Sequence, residues 1–115
     1  MLGIIGAMEV EVAALKNEMS DKKVIEKAGM NFYQGKIFDK DVVVVQCGVG
    51  KVNAGICTQI LADVYQIEAV INTGVAGSLN KDIDICDVVI SKEAQQHDVD
   101  VTVLGYHKGV IPQMN

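Results

Sequence analysis

Three glycine-containing turns carry the residue types in this sequence that could do chemistry. Gly6–Glu11 places two carboxylates just after an apolar run, and Gly48–Lys51 and Thr73–Ser78 each follow a further apolar run. Carboxylates can act as general acids or bases, and glycine-rich turns let backbone N–H and C=O groups approach a flat ligand closely. Ligands of open α/β sheets bind beyond the carboxyl ends of strands, so these turns are the candidate site.

Glu9 and Glu11 fall in the first turns of a predicted helix, where the helix dipole favours negative charge. Both could simply be a charged helix start. Residues two apart on a helix point about 200° apart, so the two carboxylates cannot share one pocket. We therefore expect at most one of them to be catalytic.

The Gly48–Lys51 turn does not match the common phosphate-binding motifs. A P-loop requires Ser or Thr after its lysine, and Val52 stands there; a dinucleotide-binding turn requires a third glycine where Asn53 stands. The turn is either a tight connection between a strand and a helix or a backbone wall against a ligand.

A metal site is not expected. His97, Asp98, Asp100 and His107 are the residues that could be considered as ligands, but in a strand Asp98 and Asp100 share one face and His97 lies on the other. The sequence offers no further ligand cluster and indicates no cofactor. The three cysteines, which have no C-x-x-C spacing, are predicted to be reduced and buried: Cys47, Cys57 and Cys86.

Hydrophobic periodicity predicts the elements that position these turns. Apolar residues recur every three or four positions over Met8–Met19, which Ser20–Lys23 ends, and over Lys51–Tyr65, so both stretches are predicted helices. A first strand ends at Gly6-Ala7. Further strands are predicted over Val24–Ala28, Phe32–Phe38, Val42–Cys47, Ile67–Asn72, Val88–Ser91 and Val99–Val103, and a loop over Gly105–Asn115.

The order of these elements indicates an α/β fold. Strands without polar alternation, separated by helices, are typical of a mainly parallel sheet covered on both faces. Two helices cannot cover both faces of six or seven strands. We therefore expect residues 1–115 to be the front part of a larger α/β domain, with no internal domain boundary and with the remaining helices supplied by further sequence or another chain.

Composition excludes some partners. The 115 residues carry a formal charge of −5, so no basic field exists to attract a nucleic acid. The longest apolar runs, such as Val42–Val45, are far shorter than the ~20 residues of a membrane-spanning helix, so no membrane partner is expected. The apolar start lacks a basic lead-in, which indicates a cytoplasmic protein.

Four motifs, taken in order and spacing, resemble the front half of bacterial 5'-methylthioadenosine/S-adenosylhomocysteine nucleosidases, in the nucleoside phosphorylase superfamily. They are Gly3–Glu11, Gly48–Ala54, Asn72–Gly77 and Ser91–Thr102, and the resemblance covers essentially the whole chain. It implies an α/β sandwich on a mixed central sheet and a homodimer. It also implies hydrolysis of the N-glycosidic bond of 5'-methylthioadenosine and S-adenosylhomocysteine, which gives adenine and a thioribose in methionine salvage and amino-acid biosynthesis.

The resemblance also implies roles for single residues. Glu11 matches the carboxylate that activates water, and Val49 matches a position lining the 5'-alkylthio pocket. Ala76 and Gly77 match the backbone that meets adenine, and Val75 stands where many members carry a serine that helps hold the catalytic aspartate. Positions that would reach into the neighbouring subunit's pocket are matched by Val101, Leu104 and Pro112.

In the family, the aspartate that protonates adenine and the Met-Glu pair that binds ribose follow the position of Asn115. We therefore expect the 115-residue chain alone to be inactive. A C-terminal segment, which could be a separate fragment, would supply these groups. Three alternatives remain: an aminodeoxyfutalosine nucleosidase, a nucleoside phosphorylase, and a non-catalytic fragment that only folds or dimerises. A phosphorylase would need a phosphate pocket, and Gly6–Glu11 contains no Lys or Arg.

Overall fold

The computed structural model describes residues 1–113, which form two compact groups. Met1–Gly77 forms the first group and holds every strand and α-helix of the described chain. Residues 78–113 form the second, in which the regular element is a short 3₁₀ helix, Thr102–Leu104. Whether residues 1–115 belong to a single domain stays a prediction.

The first group is a mixed sheet flanked by helices, which confirms the predicted α/β class. Its five strands lie in the order β2-β3-β4-β1-β5; β1 is parallel to β4 and β5, and β2, β3 and β4 are antiparallel neighbours. In chain order the elements are β1 (Leu2–Gly6), α1 (Glu9–Glu18), β2 (Ser20–Lys27), β3 (Met30–Ile37), β4 (Lys40–Gln46), α2 (Lys51–Tyr65) and β5 (Ala69–Asn72).

The two helices cover opposite faces of the central strands. On one face, Ile5 of β1 belongs to a buried cluster with Cys57 and Leu61 of α2. On the other face, Ile4 clusters with Val12 of α1. Because successive strand residues point to opposite faces, a strand buried on both sides must be apolar at every position, which is why β1 and β4 lack polar alternation.

The predicted hairpin around Gly29 is confirmed, and its first strand is longer than expected. Ala28 and Gly29 both have positive φ, of 50° and 73°, as a two-residue hairpin turn requires. Ser20–Lys23 follows the end of α1 at Glu18, as predicted, but it also begins β2. The predicted start of this strand at Val24 was wrong because β2 is the outermost strand of the sheet, where exposed polar side chains are tolerated.

Two predicted strands are absent from the described second group. Val88–Ser91 lies in irregular backbone, with the side chains of Val88 and Ile90 exposed and no strand of its group beside it. Within Val99–Val103, the Asp100 Oδ1 atom accepts hydrogen bonds from the backbone N–H and the hydroxyl of Thr102, which turns the chain. Local capping by Asp100 therefore overrides the alternating pattern. The loop expected from Gly105 onward is observed as far as Gln113, and its last two residues lie outside the described range.

The cysteine prediction holds for two of the three side chains. Cys47 and Cys57 are free and buried, whereas Cys86 is free but exposed, since it lies in the irregular second group. Across residues 1–113 no helix has the length and apolar character needed to cross a bilayer. Over the same residues, His97, Asp98 and Asp100 do not join any group of three side chains placed to hold a metal ion.

Candidate active site

The carboxyl ends of β1, β4 and β5 meet at one edge of the sheet. Gly6 is paired with Gln46 of β4, and Ile5 with Asn72 of β5. Backbone hydrogen bonds continue past the strands, from the Cys47 N–H to the Gly6 carbonyl at 2.8 Å and from the Thr73 N–H to the Ile5 carbonyl at 2.9 Å. The three glycine-containing turns therefore start side by side, as the parallel arrangement predicts.

Glu11 is anchored at this edge by two backbone donors. Glu11 is the third residue of α1, and its Oε2 atom accepts a 2.9 Å hydrogen bond from the N–H of Met8, the residue that precedes the helix. Its Oε1 atom accepts a 3.1 Å hydrogen bond from the N–H of Val75, which follows β5. One carboxylate thus joins the start of α1 to the Thr73–Ser78 turn.

The same hydrogen bonds favour the ionised form of Glu11. The backbone N–H groups of Met8 and Val75, in that order of effect, hold the pKa of the Glu11 carboxyl below its ordinary value, against a smaller opposing effect of burial. A carboxylate has about four lone-pair sites on its two oxygens, and the two backbone bonds occupy only two of them. Glu11 is therefore a fixed anion that can still accept hydrogen bonds from a water molecule.

Two glycines make room for this carboxylate. A Cβ atom on Gly74 would lie 2.5 Å from Glu11 Oε1, which is closer than real contacts allow. A Cβ atom on Gly6 would lie 3.1 Å from Glu11 Cβ and 2.7 Å from Val12 Cγ1. The glycines at the ends of β1 and β5 thus serve the placement of Glu11.

Glu9 has a different environment. Its Oε2 atom lies 2.6 Å from Nζ of Lys16, and that ammonium lies 4.5 Å above the ring of Tyr33. Both Glu9 and Lys16 line a cavity of about 520 Å³ whose lining does not include Glu11. As the helix geometry predicts, the two carboxylates point to different places, and Glu9 is engaged by a cation.

Val49 lies in the turn after β4, and its side chain is 73% exposed. Gly48 and Gly50 on either side have positive φ, of 85° and 103°. This explains why glycine recurs here without a phosphate-binding motif: the chain needs left-handed backbone to pass from β4 into α2. Val49 is thereby presented as an exposed apolar side chain after one of the three strands that meet at this edge.

Val75, Ala76 and Gly77 form the turn after β5, and all three are exposed. The backbone N–H of Val75 bonds Glu11, and the valine side chain takes no part in that hydrogen bond. A Cβ atom on Gly77 would meet no atom of the described chain within 4 Å, so the backbone there is open. The arrangement leaves this turn accessible to a flat ligand.

Val101, Leu104 and Pro112 all lie in the second group. Val101 precedes the 3₁₀ helix that ends at Leu104, and the side chain of Leu104 is 67% exposed. Pro112 is partly buried in a turn near the end of the described residues. The structure brings Glu11 and Val75 into contact, and it leaves the roles of these three residues as predictions.

Sequence reasoning missed one contributor to the site, Gly74, and the lysine that engages Glu9. Gly74 was read only as part of a glycine-rich turn, and its contact with a carboxylate 63 positions earlier has no local signal. Lys16 was not considered, although its spacing of seven residues from Glu9 places both on one helix face. That spacing is the signal that could have assigned Glu9 to an ion pair.

The fold and the site define this chain as an α/β protein with a carboxylate fixed at the ends of its central parallel strands. The model of the phosphorylase superfamily matches residues 1–114, and the chain belongs to that superfamily. It is 49% identical over 110 residues to a 5'-methylthioadenosine/S-adenosylhomocysteine nucleosidase from Colwellia psychrerythraea, which covers 96% of this chain and 45% of the relative. The resemblance inferred from the four motifs is confirmed.

Solved structures agree with this assignment. The C. psychrerythraea nucleosidase in complex with adenine gives a TM-score of 0.94, covering 96% of this chain and 46% of that one. The nucleosidase from Neisseria meningitidis in complex with methylthio-immucillin-A is 39% identical, with a TM-score of 0.95 over 99% of this chain and 49% of that one. Futalosine hydrolase from Helicobacter pylori is 32% identical, with a TM-score of 0.89 over 98% of this chain and 49% of that one.

The chain spans about half the length of the curated relatives it matches. All three aligned structures extend over a comparable further length. The fold and the Glu11 environment belong to the aligned half.

Proposed function

We propose that residues 1–115 are the front half of a nucleosidase domain that hydrolyses the N-glycosidic bond of 5'-methylthioadenosine and S-adenosylhomocysteine, releasing adenine and a thioribose. The observation that carries the proposal is the Glu11 carboxylate, fixed by the N–H groups of Met8 and Val75 at the carboxyl ends of the parallel strands. The proposal is also supported by the 49% identity between this chain and the C. psychrerythraea 5'-methylthioadenosine/S-adenosylhomocysteine nucleosidase.

Glu11 is assigned the role of orienting and deprotonating the attacking water. Cleavage of a glycosidic bond passes through an oxocarbenium-like sugar, which needs an acid for the departing base and a base for the water. An ionised carboxylate with unused lone pairs can hold such a water, and its negative charge stabilises the developing cation. The acid that protonates adenine and the ribose-binding pair come from the rest of the protein, so the 115-residue chain alone is inactive.

The remaining site residues surround this centre. Val49 contacts the 5'-alkylthio group, and the exposed segment of Val75, Ala76 and Gly77 meets adenine. Three residues of the second group, Val101, Leu104 and Pro112, cover the alkylthio group of the neighbouring subunit's pocket.

A homodimer follows from this assignment, because those three residues act in the partner's site. It is supported by the outward face of α2, where Val52, Ile56 and Val64 are 75%, 44% and 51% exposed. Spaced four and eight residues apart, these side chains form an apolar stripe of the kind that marks subunit interfaces. We propose a cytoplasmic dimer acting in methionine salvage, with the C-terminal half in the same chain or as a separate fragment.

The test is adenine release by the full-length protein and two matched variants. Glu11→Gln keeps the side-chain shape but removes the negative charge, and we expect kcat to fall by about 10²- to 10⁴-fold. Glu9→Gln makes the same change two residues away, on the carboxylate that is paired with Lys16, and we expect kcat within about 2-fold of wild type. Normal turnover by Glu11→Gln would overturn the proposal.

A second candidate is a nucleosidase of the aminodeoxyfutalosine type, which the 32% identity to the H. pylori futalosine hydrolase favours. The two activities share the glycosidic cleavage and differ in the group at the 5' position. Comparing kcat/KM for a 5'-thioadenosine and for aminodeoxyfutalosine with the same preparation separates them. A phosphorylase is disfavoured because the fixed Glu11 anion would repel phosphate, and phosphate-independent turnover would exclude it.

A further inference from the structure

The turn between β4 and α2 contains two glycines, one on each side of Val49. Gly48 and Gly50 flank Val49 with φ of 85° and 103°, and Gly50, which caps α2, makes no side-chain capping bond. Glycine loses more conformational freedom on folding than any other residue, so a turn with two of them needs an external restraint. Without one, the position of Val49 would be poorly defined.

Asn53 supplies that restraint. Its Nδ2 atom donates a 2.8 Å hydrogen bond to the carbonyl oxygen of Val49. The same Nδ2 atom lies only 3.1 Å from where a Cβ atom on Gly48 would stand, so the amide packs against the turn as well. The Sγ atom of Cys47 donates to the Gly48 carbonyl at 3.3 Å, which fixes the neighbouring peptide. The first turn of α2 thus holds Val49, two positions before the helix begins.

We propose that Asn53 is a positioning residue that sets selectivity for the 5' group of the substrate by fixing Val49. The inference rests on the proposed function, which assigns Val49 to the 5'-alkylthio group. Asn53 does not itself touch the substrate. Asn53 acts through its hydrogen bond to the Val49 carbonyl. Losing that bond therefore lowers the preference for an apolar 5' substituent but does not change the chemistry at the glycosidic bond.

The test variant is Asn53→Asp in the full-length protein. Asp has the same shape, and at the third position of a helix its charge is favoured by the helix dipole, so α2 is retained. An ionised carboxylate cannot donate a hydrogen bond to the Val49 carbonyl. We expect the ratio of kcat/KM for 5'-methylthioadenosine to that for adenosine, which carries a hydroxyl at the same position, to fall about 3- to 10-fold. The change should lie mostly in KM for 5'-methylthioadenosine.

The matched control is Asn31→Asp. Asn31 lines the same cavity as Asn53, but it belongs to β3 and not to the turn. The same change from amide to carboxylate there should leave the ratio within about 1.5-fold, because no hydrogen bond to the turn is lost. If Asn53→Asp does not fold, Asn53→Ala removes the same donor with a good helix-forming residue.

Val49→Ala and Glu11→Gln separate failure of this inference from failure of the proposed function. A wild-type protein that releases no adenine overturns both. With an active wild type that needs Glu11, a ratio lowered by Val49→Ala and by Asn53→Asp supports the inference. A ratio lowered only by Val49→Ala overturns the role of Asn53. A ratio that Val49→Ala leaves unchanged overturns the inference through its premise, while the hydrolase stands.

Discussion

The Oε1 atom of Glu11 accepts a 3.1 Å hydrogen bond from the backbone N–H of Val75, 64 residues later in the chain. The donor is main chain, so the bond depends on the path of the backbone after β5 and not on the side chain at position 75. A valine side chain at position 75 is therefore compatible with the anchoring of Glu11, because the side chain takes no part in the hydrogen bond.

Gly74→Ala should disable the site without touching a polar group. The added Cβ would stand 2.5 Å from Glu11 Oε1, so either the carboxylate or the turn after β5 must move. Displacements of about 1 Å cost on the order of 100-fold in rate when a catalytic group loses its geometry. We expect kcat for adenine release by the full-length protein to fall by about that factor, measured by steady-state kinetics.

A double variant tests whether Gly74 acts through Glu11. If it does, adding Gly74→Ala to Glu11→Gln should cost little beyond Glu11→Gln alone, because residues that work as a unit are strongly non-additive. Independent losses that multiply in the double variant would show that Gly74 serves something other than the carboxylate.

The titration of Glu11 should lie below that of an ordinary glutamate. The backbone donors at Met8 and Val75 depress its pKa from the ordinary value of 4.5 in the folded protein. Their contribution to stability is therefore complete above the pKa of the unfolded chain and is lost as the pH falls through the lower folded value. A carbon-13 NMR titration of the Glu11 carboxyl should give a midpoint below 4.5, and the same titration in urea should return it to the ordinary value. A folded midpoint at or above 4.5 would mean that the two hydrogen bonds are not formed in solution.

Gly3→Ala should destabilise the fold from the centre of the sheet. A Cβ at position 3 would lie 2.9 Å from Ile67 Cδ1 and 3.0 Å from Leu61 Cδ1, so both side chains would have to shift within the packed core. Overpacking of a filled core costs about 1–3 kcal/mol. We expect the free energy of unfolding in urea to fall by that amount.

Removing one of the crowding atoms should restore part of this loss. Ile67→Val deletes the Cδ1 atom that the new methyl group of Gly3→Ala would meet, while leaving the rest of the side chain. The double variant should be more stable than the sum of the two single changes predicts. Simple additivity would indicate that the space beside Gly3 is larger than the packing implies.

Hydrophobic periodicity predicted the elements of the first group because one rule holds there: the side chains that lie between a helix and the sheet are apolar. Val42–Val45 is apolar at every position since α1 and α2 cover both faces of the sheet, and Val12 and Leu61 recur with helical spacing since each faces that sheet. The same rule failed at Val99–Val103, where the side chain of Asp100 bonds Thr102 and bends the chain. Capping by one side chain is invisible to a pattern of apolar residues.

The location of the site was predictable from the ends of the strands, but its individual hydrogen bonds were not. Because β1, β4 and β5 are parallel, their following turns had to meet, which correctly joined Gly6–Glu11 to Thr73–Ser78. The partner of Glu11 Oε1 was not predictable, since the N–H of Val75 is identical in kind to every other backbone donor. Pairing of Glu9 with Lys16 was within reach of helix spacing.

The order of strands in the sheet also bears on how the protein folds. β2, β3 and β4 are joined by tight turns and can pair locally, whereas β1 pairs with β4 and β5 across the longest separations in the described sheet. Closing long loops costs more chain entropy and slows folding, so docking of β5 beside β1 is expected to come late. The hydrogen bond from Val75 to Glu11 cannot form before that docking. The candidate catalytic carboxylate therefore acquires its second anchor only when the sheet has closed, and a partly folded chain would carry no competent site.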